Sequence, residues 1–288
     1  MKTTPDDSPL PGDAGALPET VISSRADVRL LQAIRDLWAY RDLFAAFVRR
    51  DLTVRYRQTA LGVIWVVLQP LATGGVFAVI FRRLGAGADQ SALESLLFYM
   101  AGLVPWMAFA SAVQKAATSL ETNASLVTKV YFPRMAVPGA YVAAGAVDFL
   151  IAFSVLAGLA AWTGRFSIWL LVAMPLLLLL QTAAALGLGF FFAILNAQYR
   201  DVKYVVPFVL TIGLFLTVIL PLAQWGDLGR AILSWNPMMA VVEAYRAVLA
   251  GKAVDAMLMA KGTLSALVAL AGGVWFFRHR EHRLVDIL

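Results

Sequence analysis

An all-α, polytopic membrane protein is predicted, with six transmembrane helices, an N-terminal amphipathic helix on the cytoplasmic side and short re-entrant or interfacial helices on the outer side. Three observations carry this. Of 288 residues, 60% are hydrophobic and 15% charged, whereas soluble domains charge about a quarter of their residues. The run from Arg50 to Arg83 has no ionisable side chain between Arg57 and Arg82, and ~20 residues rising ~1.5 Å each cross a bilayer core. The stretch from Phe166 to Tyr199 adds 34 residues without a charge, enough for one tilted crossing.

Orientation follows from the cations. Arg49, Arg50, Arg55 and Arg57 precede the first span, and each would cost roughly 2.5–3.5 kcal/mol at the centre of a bilayer. They are expected to stay cytoplasmic. Alternating the spans from there assigns 17 of the 24 Lys and Arg residues to inside segments and 7 to outside ones, with both termini in the cytoplasm. The net charge of +6 and pI near 9.7 thus reflect positive-inside bias rather than a nucleic-acid surface.

Along the chain, residues 1–27 read as a disordered cytoplasmic leader: Pro5, Pro9, Pro11 and Pro18 interrupt a polar stretch with Asp6, Asp7, Asp13 and Glu19 and no apolar run. Residues 28–58 form an amphipathic interface helix, with Leu30, Ile34, Leu37, Trp38, Phe44, Phe47, Val48 and Leu52 at helical spacing. It either lies in the headgroup layer or offers a surface to a cytoplasmic partner. Residues 59–288 are the six-span domain, with crossings at about 60–81, 96–113, 137–162, 168–195, 204–223 and 262–277.

The first span holds Gln69-Pro70 and Gly74-Gly75, which weaken a helix unless neighbours satisfy the freed backbone, so it is expected to face protein. A polar segment from Gln114 to Arg134 follows the second span. Asp148 interrupts the third. No basic or second acidic residue is expected in any other span to complete a relay, so an interior hydrogen bond is the favoured role. Ala183 with Gly187, and Ala185 with Gly189, allow close helix packing. Residues 196–203 make a polar elbow. Ala231 to Val242 is too short to cross and is broken by Asn236-Pro237, which suggests a re-entrant or interfacial helix pair. The last span has 16 uncharged residues, Gly262 to Phe277, and is expected to rely on Lys261 and Arg278 snorkelling.

The missing chemistry is informative. There is no cysteine, hence no disulfide, thiolate metal site or cysteine nucleophile. Gly251-Lys252 lacks the rest of a phosphate-binding loop, so the chain is expected to hold no ATP, and no cofactor or metal site is predicted. His279 and His282 sit among arginines in a basic tail. No catalytic constellation is recognisable.

Several segments resemble the permease subunits of polysaccharide-exporting ATP-binding-cassette transporters, the O-antigen, capsule and teichoic acid type. The resemblance covers about residues 30–288. Its first-span signature comprises Arg50, Asp51, Arg55, Tyr56, Thr59, Leu61, Gly62, Trp65, Gln69 and Pro70. It continues through Lys129-Val130-Tyr131-Phe132-Pro133-Arg134, Asn196 with Tyr199-Arg200-Asp201-Val202, and Asn236-Pro237 with Tyr245-Arg246.

The resemblance implies a transporter subunit rather than an enzyme, a homodimer joined by two copies of a separate ATPase that binds ATP and Mg, and a lipid-linked polysaccharide moved across the inner membrane. It makes Asn123, Lys129, Tyr131, Arg134, Asn196, Tyr199, Arg200 and Asp201 candidates for ATPase coupling, and Asn236, Pro237, Tyr245 and Arg246 candidates for an outer gate. For the substrate path there is a physical argument: sugar C–H faces pack on aromatic rings with weak directionality, so a polymer can slide. Trp65, Phe77, Trp106, Phe109 and Tyr141 are the candidates. An exporter of a drug or other lipid-like amphiphile would share these elements. A polyprenyl-sugar membrane enzyme would need paired acidic residues at an interface, which the sequence does not display.

Overall fold

The computed structural model describes residues 40–57, 62–83, 91–129 and 132–281. The expected leader and the first part of the amphipathic helix fall outside them. Ten α-helices are described. They are α1 (Arg41–Arg57), α2 (Gly62–Arg83), α3 (Ala92–Thr122), α4 (Ala124–Lys129), α5 (Ala136–Trp162), α6 (Ile168–Gln198), α7 (Val202–Leu214), α8 (Asp227–Leu233), α9 (Pro237–Leu249) and α10 (Ala256–Arg280). Six helical segments, carried by α2, α3, α5, α6, α7 with its extension, and α10, are long and apolar enough to cross a membrane, as the composition requires.

The bundle is organised around α3. Ser91 and Glu94 start it with a reciprocal capping box, which satisfies two otherwise orphaned N–H groups. Its 31 residues extend ~46 Å, well beyond a ~30 Å hydrocarbon core. The helix therefore continues through much of the segment expected to be a polar connector after residue 113. Its apolar window is 72% buried, against 17% for α2. The expectation that α2 faces protein holds on one stripe only. Pro70, Gly74 and Ala78 are buried, with Gly74 against Leu96 and Met100, while Trp65, Leu68, Val76, Val79 and Ile80 are uncovered.

Small residues set the closest approaches. A methyl at Gly273 of α10 would run into the backbone of Gly187 of α6, and one at Gly189 would meet Ala116 of α3. The small-residue spacing in α6 thus serves two neighbours on two faces.

Besides α3, two spans differ from expectation in their bounds. α7 passes into a π-helical turn, Phe215–Ile219, and ends before residue 220, short of the 223 expected. Gly213 lies against the Trp106 indole there. α10 begins at Ala256, where the Asp255 carboxylate accepts from Met257 N and Leu258 N. Its 25 residues remove the need for a 16-residue crossing. Lys261 Nζ donates to Ser234 Oγ at 3.4 Å and lies 5.9 Å from the Trp235 ring, so it ties α10 to the turn between α8 and α9 instead of merely snorkelling.

Candidate functional site

Polar chemistry gathers at the two ends of the bundle. At one end, α1 packs against the start of α5. Phe47 meets Phe132 at 5.7 Å between ring centroids, and Phe44 approaches Gly139. This apolar face leaves Arg41, Arg49, Arg50 and Arg57 on the exposed side. Arg50 donates to Asn123 Oδ1. Asn123 is buried, and its Nδ2 donates to Ser119 O at 2.7 Å and to the Tyr141 hydroxyl at 3.3 Å. One asparagine thus closes the end of α3 and receives α1.

The last turn of α1 reaches Asp148 on α5. Arg55 and the Tyr56 hydroxyl donate to opposite oxygens of that carboxylate. Arg55 also bonds Asp51, one turn back on α1, and Lys115 Nζ of α3 lies 3.7 Å from Asp148. This corrects the expectation that no basic residue in another span meets Asp148. Lys115 was placed in a connector because residue 113 appeared to end the second span, yet α3 continues past it. Burial of the Tyr56 phenol, reinforced by its bond to Asp148, holds its pKa above the usual range.

The elbow joins the same end. Asn196, buried at the end of α6, donates from Nδ2 to Glu121 Oε2 at 3.0 Å, and Lys203 lies 3.7 Å from Glu121. Tyr199, Arg200 and Asp201 are exposed around the turn. Arg134 donates to the carbonyl of Glu281, beyond the end of α10. Asn123, Arg134, Asn196, Tyr199, Arg200 and Asp201 therefore share one end of the molecule. Lys129 closes α4, and its side chain is outside the described part; Tyr131 lies outside the described residues, and Gly62 is described only as the first residue of α2. The sequence reading did not single out Glu121 or Lys203. Their signal was their place at the end of α3 and the start of α7.

The short, buried helix α9 fills the other end. Asn236 caps it by accepting from Met238 N at 3.0 Å, with Pro237 at the first helical position. Asn236 Nδ2 also donates to Thr217 Oγ1 at 2.9 Å. Arg246 is buried. It donates to Val218 O, a carbonyl at the end of the π-helical turn, and pairs with Glu243 at 3.1 Å. Its guanidinium lies 3.9 Å from the Phe98 ring centroid, within cation–π reach. Glu243 in turn accepts from Leu222 N at 3.3 Å. Tyr245 is fully buried between Phe149 and Phe153. The stretch that follows α7, at Thr217, Val218 and Leu222, is therefore joined to α9 and its cap at three points.

The five aromatic candidates for a path are not equivalent. Trp106 and Phe109 are buried and pack on each other at 5.6 Å. Phe77 belongs to a cluster with Phe81 and Tyr99, and Tyr141 supports Asn123. Trp65 presents its ring outward, more than half exposed, with Gln69 one turn along also exposed. On α7 and the π-helical turn that follows it, Tyr204, Phe208 and Phe215 form an uncovered aromatic stripe that the sequence reading had not singled out, although its i, i+4, i+11 spacing was visible.

Comparison with known proteins identifies the family. The family model described as "ABC-2 type transporter" matches residues 42–250. The chain is 29% identical over 257 residues to the O-antigen export system permease protein RfbA of Myxococcus xanthus, covering 88% of this chain and 98% of that protein. It is 24% identical over 252 residues to a protein of the same name from Klebsiella pneumoniae, covering 86% and 95%. Identity to the polysialic acid transport protein KpsM of Escherichia coli is 25% over 250 residues, covering 83% and 94%.

Proposed function

This chain belongs to the ABC-2 type transporter family, as a permease subunit without its own ATPase domain, and from that premise we propose that it exports a lipid-linked polysaccharide. It would do so as a homodimer in the cytoplasmic membrane, with two copies of a partner ATPase. The observation that carries the substrate class is the near full-length similarity to proteins named for O-antigen export and polysialic acid transport.

In this reading the end bearing α1, Asn123, Arg134 and the 196–203 elbow is cytoplasmic and receives the ATPase. Its support is the row of exposed arginines, Arg41, Arg49, Arg50, Arg57 and Arg200, which positive-inside bias keeps on that side and which suits an acidic docking surface. ATP binding draws the two ATPase copies together, and the elbows move with them. At the opposite face, the unit of α8, α9 and the end of α7 is the outer gate.

The dimer reading rests on α2 and α7. Both leave aromatic and polar side chains uncovered, Trp65 and Gln69 on one and Tyr204, Phe208 and Thr211 on the other. Polar groups at membrane depth face protein or a water-lined cavity. A second copy set against these helices would enclose a path with aromatic walls, along which sugar rings slide.

The test is to delete this chain in its host and compare lipid-linked glycan inside the cell with finished polymer outside. Accumulation inside with loss outside is expected. Unchanged pools would point to a drug or lipid exporter, and loss of glycan from both to an enzyme acting on the polyprenyl-linked sugar.

A further inference from the structure

We propose that Asp148 is a positioning residue that clamps the last turn of α1 to α3 and α5, so that movement imposed on α1 is passed into the bundle. The inference rests on the transporter reading above. Asp148 is held at both oxygens from α1, by Arg55 and by the Tyr56 hydroxyl, and faces Lys115 of α3. Three separate elements therefore converge on one carboxylate. It lies 12 residues into α5, about 18 Å along that helix from its first residue.

The electrostatics favour a clamp. Two carboxylates, Asp51 and Asp148, face two cations, Arg55 and Lys115, so the cluster is neutral as a whole. The side chains of Arg55 and Asp148 are 17% and 11% exposed, so little water competes for their charges. A buried pair of this kind contributes little net stability compared with an apolar replacement, but fixes geometry because each hydrogen bond is directional. Removing one partner strands the others.

The rest of α1 is attached differently. Its base rests on Phe132 and Gly139 through Phe47 and Phe44, contacts that are non-directional and tolerate sliding. Arg50 adds a bond to Asn123 at the end of α3. A helix that rests mainly on apolar contacts and carries most of its directional ionic contacts at its tip transmits displacement at that tip. The exposed arginine face of α1 is where a cytoplasmic partner would push, and Asp148 is where the bundle would receive that push.

The experiment uses the full chain assembled with its ATPase in lipid nanodiscs and in proteoliposomes. The absence of native cysteine allows spin labels at Val54→Cys and Leu150→Cys, both exposed in the described chain and adjacent to the clamp. A narrow distance distribution with and without ATP is expected in the parent. Asp148→Asn is expected to broaden it, to keep the ATPase bound and hydrolysing, and to lower glycan exported per ATP by about tenfold. Arg55→Gln, on the other side of the same pair, is expected to do the same, and Asp148→Glu to restore both readouts. Unchanged distances with normal export in Asp148→Asn would overturn the clamp. So would normal export in Arg55→Gln, which would leave the carboxylate acting alone. If Asp148→Asn does not fold, Arg55→Gln decides. If the parent complex hydrolyses ATP but moves no glycan, the proposed function fails, while the distance measurement still judges the clamp.

Discussion

Arg246 of α9 donates to the carbonyl of Val218 in the π-helical turn that follows α7, so the helix break after α7 and the buried helix α9 are held as one piece. Helix ends leave carbonyls without partners, and here a buried guanidinium supplies one. Arg246→Ala is expected to lower stability by about 1–3 kcal/mol, because it leaves the Val218 carbonyl and Glu243 short of a donor. Arg246→Lys should recover only part of this, since an ammonium lacks the planar fork. Thermal unfolding of the purified permease in detergent reads the order parent, Lys, Ala, and equal midpoints would refute it.

Gly273 allows α10 to approach the backbone of Gly187. A Cβ at Gly273 would collide with that backbone, whereas one at Gly272 meets nothing within 4 Å. Gly273→Ala is expected to cost roughly 1–3 kcal/mol by overpacking, and Gly272→Ala to be neutral or slightly stabilising through helix propensity of up to ~1 kcal/mol. The pair forms its own control in a melting experiment. A similar midpoint for both variants would disprove the close approach.

Arg200 is exposed in the elbow beside the Asn196–Glu121–Lys203 contacts. Arg200→Glu is expected to weaken association with the ATPase by about tenfold, the equivalent of ~1.4 kcal/mol, and to leave the melting temperature of the permease unchanged. Co-purification at graded salt measures this. Undiminished recovery of the ATPase would remove the elbow from the docking surface.

Tyr56 makes the clamp sensitive to alkali. Its phenol titrates above the usual range in the folded chain, through burial first and its bond to Asp148 second, while the unfolded chain titrates near ~10. The neutral phenol therefore contributes its full stability below about pH 10 and loses it as pH rises further, where the unfolded state ionises first. Tyr56→Phe should flatten this alkaline decline without altering the profile at neutral pH. Parallel melting curves for parent and variant from pH 9 to 11 would count against it.

Much of the architecture was legible because hydrophobic length is a local property. Charge-free runs marked the crossings, Asn236-Pro237 marked a break in a short apolar piece, and the spaced small residues of α6 marked close packing. Helix ends were harder to read. Ser91 and Glu94 cap α3 and Asp255 caps α10, and both helices extend past the apolar stretch that identified them. Lys115 belongs to a connector on that reading, which leaves out one of the partners of Asp148.

By itself, the sequence determined that the chain spans a membrane, how many times, and which segments stay polar, because transfer of apolar and charged groups depends on composition along a short window. It also carried the family resemblance. Only the tertiary structure decided which polar groups meet. Arg55 and Asp148 are 93 positions apart, and Val218 and Arg246 are 28 apart. Pairing at such separations depends on how helices cross, which is set by side-chain packing across several elements at once. The same reason divides the aromatics: Trp65 and Trp106 look alike along the chain, but Gly213 makes room to bury one, while the other stays more than half exposed in the described chain.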